Sequence, residues 1–357
     1  MIQRALGPVV VVVAALLALL AVVSTEPAVL GLSTVPVLAH AVALRGLSAV
    51  ALVVLALLAA GAAAVLGRRG ARAPAADGVP GGGRLPAWGA PAVLAVVATG
   101  CAAVHLGVLV GRGVDPGGPA PAPDGATGEG LVVMTLNAQV DGVTGEEVAA
   151  AVVTARADVV ALPETSAALA QDVVDAVAAR TGQVYEAFTT QADDRPIAAT
   201  SLLVAPRLGA HERLPGPALE LGAVVVGPVR GDGPVLAAVH PPPPIPPPLG
   251  PFPMERWAEQ AAVAADVCRT TPGAVVAGDY NATLDHAPLR DLAPCVSAAA
   301  EAGAGGVGTW PTSLPPLLGG VIDHVLVDAR EWEPVAASVV TVGATDHRAV
   351  VVHLVPR

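Results

Sequence analysis

From Gly46 to Gly67 the chain runs for 22 residues without a charge, and Pro91 to Gly111 gives 21 more. An α-helix rises about 1.5 Å per residue, so each stretch can cross about 30 Å of hydrocarbon. A third apolar run, Pro8 to Val23, is shorter at 16 residues, and apolar character resumes after Ser24-Thr25-Glu26. With Arg4 as a basic flank it reads as a signal peptide or as a retained helix. No clean small-x-small cleavage site follows it and two further spans do, which favours a retained helix. The expected spans are therefore about 8–30, 46–67 and 91–111. His105 lies inside the third, as a functional intramembrane group or as a neutral side chain facing neighbouring helices.

These runs account for an overall mean hydropathy of +0.64 and a 54% hydrophobic content, both high for an ordinary soluble domain. A length of 357 residues suggests two units. Arginine placement orients them. The loop between the second and third spans carries Arg68, Arg69, Arg72 and Arg84, whereas the first loop has only Arg45 near its end. The arginine-rich loop and the N-terminus are thus expected on the cytoplasmic side, and everything after Gly111 on the outer face. Residues 1–112 form the expected multi-pass membrane region. Residues 113–130, rich in Pro, Gly and Ala, read as a flexible tether. Residues 131–357 form a domain large enough for its own core.

Within that domain, short apolar runs alternate with amphipathic stretches. Strands are expected at 131–136, 158–162, 200–204, 235–239, 274–277, 321–327 and 349–354. Helices are expected at 145–156, 166–180, with Ser166 as a cap, and 255–270. The mixture means a layered α/β or α+β domain. Several strands stop at a polar residue: Asn137, Glu164 after Pro163, His240, and Asp279 with Asn281. Asp346 and His347 precede the last strand. Asp279 and Asn281, two apart in extended backbone, point to the same side. Taken alone, they read equally well as a turn satisfying its own backbone. Carboxylates and amides gathered at one sheet rim are hard oxygen ligands suited to Mg²⁺ or Mn²⁺, which leaves histidine free for proton transfer. In Val321–Val327 the period-two pattern puts Asp323 with Val325 and Val327, and His324 on the opposite face. A buried Asp needs a partner, either a histidine or backbone N–H groups.

The segments MTLNAQV (134–140), ADVVALPE (157–164), AAVH (237–240), VVAGDYNAT (275–283), TWP (309–311), IDHVLV (322–327) and TDHRAVVVHL (345–354) occur in this order. Together they resemble the endonuclease/exonuclease/phosphatase superfamily, the fold of deoxyribonuclease I, sphingomyelinases and inositol-polyphosphate 5-phosphatases. The resemblance implies a two-sheet α/β sandwich flanked by helices and a metal-dependent hydrolase of phosphoric esters. It also implies that Glu164 is the principal Mg²⁺ ligand, with Asn137 and Asp346 close to the metal or the scissile phosphate. His347 would be the general base, oriented by Asp323. Asp279 and Asn281 would position nucleophile and phosphate oxygens, and His240 would stabilise or protonate the leaving side. Three positions depart from the family pattern: Pro163 replaces a Gln, Thr345 a Ser, and Tyr280 a Phe.

Trp310 stacks on a substrate ring or packs beside Pro311. The polyproline run after His240 is a rigid surface loop, a site rim or a partner strip. Cys268 and Cys295 could pair if their domain lies outside the cytoplasm, but two buried thiols are the expected state. The domain holds 12 arginines against 25 acids, a formal charge of −13. That disfavours long nucleic acid and leaves phospholipid headgroups, nucleotides or short nucleic acids as substrates. The competing readings are a catalytically silent membrane-tethered scaffold and a channel formed by the helices. The intact polar set argues against the first, and the scarcity of polar residues in the spans against the second.

Overall fold

The computed structural model describes residues 2–72, 86–117, 130–190, 196–231 and 233–357. Arg84 and residues 118–129 of the expected tether lie outside them. Helices α1 (Ile2–Thr25), α3 (Arg45–Arg72) and α4 (Gly89–Gly111) pack together, and all three are long and apolar enough to cross a membrane. Small side chains, among them Ala49, Ala56, Ala98 and Ala102, line their contact, which lets helix backbones approach closely. Their outward faces stay apolar: Leu57, Leu58 and Val96 are 68%, 68% and 73% exposed. The first helix stops at Thr25 rather than near residue 30, because Pro27 opens a separate 3-10 turn, Pro27–Leu30. A short helix not expected from sequence, α2 (Pro36–Ala43), fills the connection to α3.

The domain is built in two visits to one sheet. Strands β1 (Leu131–Thr135), β2 (Val159–Pro163), β3 (Glu186–Thr189) and β4 (Thr200–Val204) start it, with α5 (Gly145–Ala155) and α6 (Ala167–Thr181) on its outer face. Thr144 and Glu147 close a capping box at the start of α5, and Ser166 caps α6 through the Leu169 N–H. The chain then lays down a second sheet. Its strands are β5 (His211–Arg213), β6 (Ala223–Pro228), β7 (Leu236–Val239), β8 (Val275–Asp279), β9 (Cys295–Ser297) and β10 (Asp323–Asp328). Helix α7 (Met254–Thr270) covers its outer face, and two single-turn helices, α8 (Ala287–Arg290) and α9 (Ala298–Glu301), flank β9. Finally β11 (Trp332–Thr341) and β12 (Arg348–Pro356) return to the first sheet, giving orders β11-β12-β1-β2-β4-β3 and β5-β6-β7-β8-β10-β9.

Side-chain alternation explains the packing. Val133, Val159, Val275, Ala277, Val325 and Val327 meet between the sheets, whereas Met134, Val160, Val276 and Leu326 face the outer helices. Strands buried on both faces read as unbroken apolar runs, which is why the central ones were legible. Topology then fixes the site. β1 and β2 are parallel and end together, and β12, antiparallel to β1, begins at that same end. In the second sheet β7 and β8 end together and β10 begins there, with Asp323 paired in register to Asp279. Gly278 permits the approach of β8 to β7: a Cβ there would sit 2.0 Å from the Val239 carbonyl oxygen.

Two sequence expectations are corrected. Cys268 and Cys295 form a disulfide, not two thiols, because the last turn of α7 meets the start of β9 with Cα atoms 6.3 Å apart. Residues 112–117, expected to begin a tether, lie against the domain. The Arg112 and Gly113 carbonyls accept from Gly305 and Gly306 N–H (2.9 and 2.7 Å), and the Pro116 carbonyl accepts from Val339 (2.9 Å).

The helical bundle is docked on the domain through a buried ion network. Arg45, 1% exposed, donates from Nε and Nη2 to both Asp285 oxygens (2.8 and 2.5 Å). Arg112 reaches the same two oxygens at 2.8 Å each. Burial opposes ionisation of Asp285, but the two guanidiniums hold its carboxyl at about 2. His105 belongs to this network: its Nδ1 accepts from Arg45 (3.3 Å) and its Nε2 donates to Ser24 (3.4 Å). His105 thus faces its neighbouring helices and is hydrogen-bonded on both ring nitrogens. Close contact continues beside it, where a Cβ on Gly46 would lie 1.8 Å from the Leu317 carbonyl oxygen.

Candidate active site

Every polar strand end named from the sequence arrives at one rim. Asn137 follows β1, Glu164 follows β2, His240 follows β7, Asp279 closes β8, Asp323 opens β10, and Asp346-His347 precede β12. His347 Nδ1 donates to Asp323 Oδ2 at 2.9 Å. An ionised carboxylate only accepts, so this bond fixes the proton on Nδ1 and leaves Nε2 facing Asp279 Oδ2 and Asp346 Oδ1, each 3.8 Å away. The histidine partner for Asp323 is therefore the one realised. Asn137 Nδ2 lies 3.1 Å from both Glu164 Oε1 and Asp279 Oδ2, tying the two sheets together through one amide. His240 Nε2 stands 3.8 Å from Glu164 Oε1 and 3.7 Å from Asp279 Oδ2. Glu164, His240, Asp279, Asp346 and His347 line a cavity of about 330 Å³.

The electrostatics follow from burial and crowding. Burial and the neighbouring Asp323 carboxylate push Asp279 up to about 7. Burial disfavours the charge on His347, but Asp323, Asp279 and Asp346 outweigh it and raise the imidazole to about 10. His240, fully buried and facing the charge on His347, is lowered to about 3 and stays neutral. Burial raises Glu164 above the usual carboxylate range, against the Asn137 hydrogen bond. Two buried polar atoms here, His240 Nδ1 and Asp323 Oδ1, have no hydrogen-bond partner among the described residues. Backbone strain is concentrated at the same place: Glu164 (φ 54°) and Asn281 (φ 48°) are left-handed, a conformation costly for a side-chain-bearing residue.

Asp279 satisfies both readings of its motif. Its Oδ1 accepts from the Asn281 N–H at 2.7 Å, which is the turn, while Oδ2 faces the cavity groups, which is the site. The Asn281 side chain donates to the Pro241 carbonyl (3.0 Å), so the polyproline loop is pinned to the rim. Trp310 is positioned by neither stacking nor packing alone: its indole N–H donates to Asp346 Oδ2 at 2.8 Å. Among the described residues, the Asp279, Asp323 and His347 ligand atoms lie within 4.8 Å of one another. Asp323 and His347 already satisfy each other. Glu164 and Asp346 open onto the cavity and Asp323 does not, so their oxygens are the accessible ones.

The profile described as Endonuclease/Exonuclease/phosphatase family matches residues 134–347, more than half of the chain. The chain belongs to this family. Its two packed mixed sheets flanked by helices are the deoxyribonuclease I-like fold. Solved structures with similar folds include an endonuclease/exonuclease/phosphatase from Beutenbergia cavernae DSM 12333. It is 20% identical with a TM-score of 0.48, covering 64% of this chain and 72% of that one. A family protein from Bacteroides thetaiotaomicron is 13% identical over 63% and 97% (TM-score 0.46). The human Nocturnin catalytic domain with bound sulfate is 11% identical over 64% and 94% (TM-score 0.45). Comparison with curated proteins finds no match.

Several residues of this family member's site were not singled out from sequence. Gln139 bridges two segments of the rim, its N–H donating to Asn137 Oδ1 (2.8 Å) and its Oε1 accepting from the Asp346 N–H (3.0 Å). Thr309 Oγ1 accepts from Ile322 and Asp323 N–H, fixing the start of β10. Arg348 holds the loop carrying Trp310 through the Gly308, Pro311, Thr312 and Leu314 carbonyls. Neighbours of named motif residues are the only sequence signal for these three. His40 and Leu44, from the membrane region, also line the cavity, and no local pattern announces them.

Proposed function

We propose that the chain is a membrane-anchored phosphoesterase that uses Mg²⁺ or Mn²⁺ and carries its catalytic domain outside the cytoplasm. The observation that carries it is the convergence of Glu164, Asp279, His240, Asp346 and His347 on one cavity, with Asn137 and Asp323 hydrogen-bonded to them from behind. The donor set fits a hard cation: the Glu164, Asp279 and Asp346 carboxylates share one cavity, and no arginine lines it among the described residues. Glu164 and Asp346 would hold it, with Asn137 beside them, its Oδ1 taken by the Gln139 N–H and its Nδ2 on Glu164. A bound divalent cation supplies the positive charge that a phosphate ester's oxygens need as they gain charge in the transition state.

The chain's own groups divide the remaining work. His347, with Nδ1–H held by Asp323, exchanges a proton with the attacking water only through Nε2. Asp279, 3.8 Å from that nitrogen, orients the same water. Neutral His240 presents an imidazole edge to the departing oxygen from the opposite sheet position, while Asn281 and Asn137 place the phosphate oxygens. Trp310 holds Asp346 through its indole N–H and forms a cavity wall. Substrates are phosphate esters of phospholipid headgroups, nucleotides or short nucleic acids. The domain's charge of −13 disfavours a broad nucleic-acid surface.

The extracytoplasmic location is supported by Arg68 and Arg69 in the last turns of α3, at the end away from Arg45, and by the Cys268–Cys295 disulfide, a bond of oxidising compartments. The test is hydrolysis of bis(4-nitrophenyl) phosphate by the purified full chain with Mg²⁺ or Mn²⁺. Activity should vanish with chelator and in Glu164→Gln and His347→Ala. Undiminished turnover under any of these conditions would overturn the proposal.

A further inference from the structure

The catalytic cavity is not closed by the catalytic domain alone. His40 and Ala43 of α2, and Leu44 after it, line it opposite His240, Asp279 and His347. They belong to the connection between the first two apolar helices, and α3 starts at the very next residue, Arg45. This wall is held firmly. His286 takes the Thr283 N–H on Nδ1 (2.8 Å), so its Nε2–H donates to the Ala39 carbonyl (3.0 Å). The Ala287 N–H donates to Ser33 Oγ (2.9 Å), and the Arg45–Asp285–Arg112 network lies alongside.

Among the described residues, the remaining mouth carries exposed apolar side chains and no arginine. Ile245, Trp310 and Ile197 border the cavity at 41%, 37% and 42% exposure. Leu317, 49% exposed, sits against the first turn of α3 at Gly46. Helix α2 has a second role: Leu38 and Ala41 line an apolar groove of about 190 Å³ shared with α1 and α3. One short helix thus separates the interior of the helical bundle from the catalytic groups. A site built for a freely diffusing polyanion would surround its entrance with arginine; among the described residues this one is bordered instead by the turn that opens α3.

Resting on the phosphoesterase reading above, we infer that residues 36–44 are a specificity wall, and that the cavity takes the phosphate of an amphiphile whose apolar chain lies in the same membrane leaflet. The reaction is hydrolysis: a water oxygen bonds to phosphorus, one P–O ester bond breaks, and the released alkoxide oxygen takes the proton. No further reactant is consumed.

The experiment uses the full chain in phosphatidylcholine vesicles with Mg²⁺. Phosphatidic acid or phosphatidylglycerol in the vesicles is compared with water-soluble glycerol 3-phosphate and bis(4-nitrophenyl) phosphate. One chain-bearing ester should show kcat/KM about tenfold or more above the soluble ones, since several buried methylenes suffice for that factor. Leu44→Asp and, independently, Asp285→Asn should each lower the lipid-to-soluble ratio by about tenfold or more. On the unmodified protein, dodecylphosphonate should inhibit soluble-ester hydrolysis about tenfold or more tightly than methylphosphonate. Equal efficiency on chain-bearing and soluble esters, or equal inhibition by the two phosphonates, overturns this inference and leaves the phosphoesterase reading standing. No hydrolysis of any ester overturns both.

Discussion

Two clusters of buried charge lie in this chain, and they are built on opposite plans. At the junction of helices and domain, one carboxylate, Asp285, is met by two guanidiniums through four hydrogen bonds of 2.5–2.8 Å. At the strand ends, Glu164, Asp279, Asp323 and Asp346 are partnered by histidines, an indole, an amide and backbone N–H groups, and one Asp323 oxygen has no partner among the described residues. Glu26 adds a second carboxylate, 3.4 Å from Arg45 Nη2, so the first cluster is balanced within the chain. In the second, four carboxylates meet no arginine among the described residues, and Glu164 and Asp346 open onto a cavity. Charge balance, not burial, separates the structural cluster from the chemical one.

Each cluster can be broken on its own terms. The largest effect is expected at the open cluster: Glu164→Gln and His347→Ala should each lower kcat by about 10²–10⁴-fold. Thermal unfolding in detergent should show both variants as stable as the parent. Next, Asp285→Ala removes the shared carboxylate from buried Arg45 and half-buried Arg112, leaving Arg45 only Glu26, His105 and the Thr25 carbonyl, and should cost about 3 kcal/mol in the same assay. Replacing Arg45 and Arg112 by Met together with Asp285→Leu should recover much of that loss. A triple variant as unstable as the single one would show that the network is needed for more than mutual neutralisation.

A divalent cation should stabilise through the open cluster only. At a hundredfold excess over its dissociation constant, Mn²⁺ should add about 2.7 kcal/mol to the parent. It should add much less to Glu164→Gln and the full amount to Asp285→Asn.

The smallest effect is a pH dependence. The folded carboxyl of Asp285 lies at about 2 against an ordinary 3.8. A depressed value contributes stability above the ordinary one and loses it as pH falls. Docking should therefore weaken between about pH 4 and pH 2, by on the order of 2 kcal/mol. Asp285→Asn should lack that portion of the acid limb when unfolding is followed against pH.

Legibility in the sequence tracked this same division. The open cluster could be read because each member ends or begins an apolar run, where a lone polar residue stands out. Central strands such as β1, β8 and β10 were legible because both faces are buried. Edge strands β3, β5, β9 and β11 were not: β3 and β5 are largely exposed, β9 has only three residues, and Pro334 interrupts β11. β6 is a different case, since Ala223–Val226 carries a strand signal and was assigned no element. The closed cluster was illegible for a physical reason. Arg45 looks like the flank of a span and Asp285 like part of a loop, and only the tertiary fold brings them together. The disulfide was misjudged likewise, since nothing local to Cys268 or Cys295 says that α7 ends beside β9.

The pairing of β1 with β12 makes the aim of Asn137 a long-range property. β1 is framed on one side by residues 350–354, far along the sequence. Thr345 closes the same joint, its hydroxyl donating to the Asn137 carbonyl at 2.8 Å. A change in β12 would therefore reach the rim without touching a residue that lines the cavity.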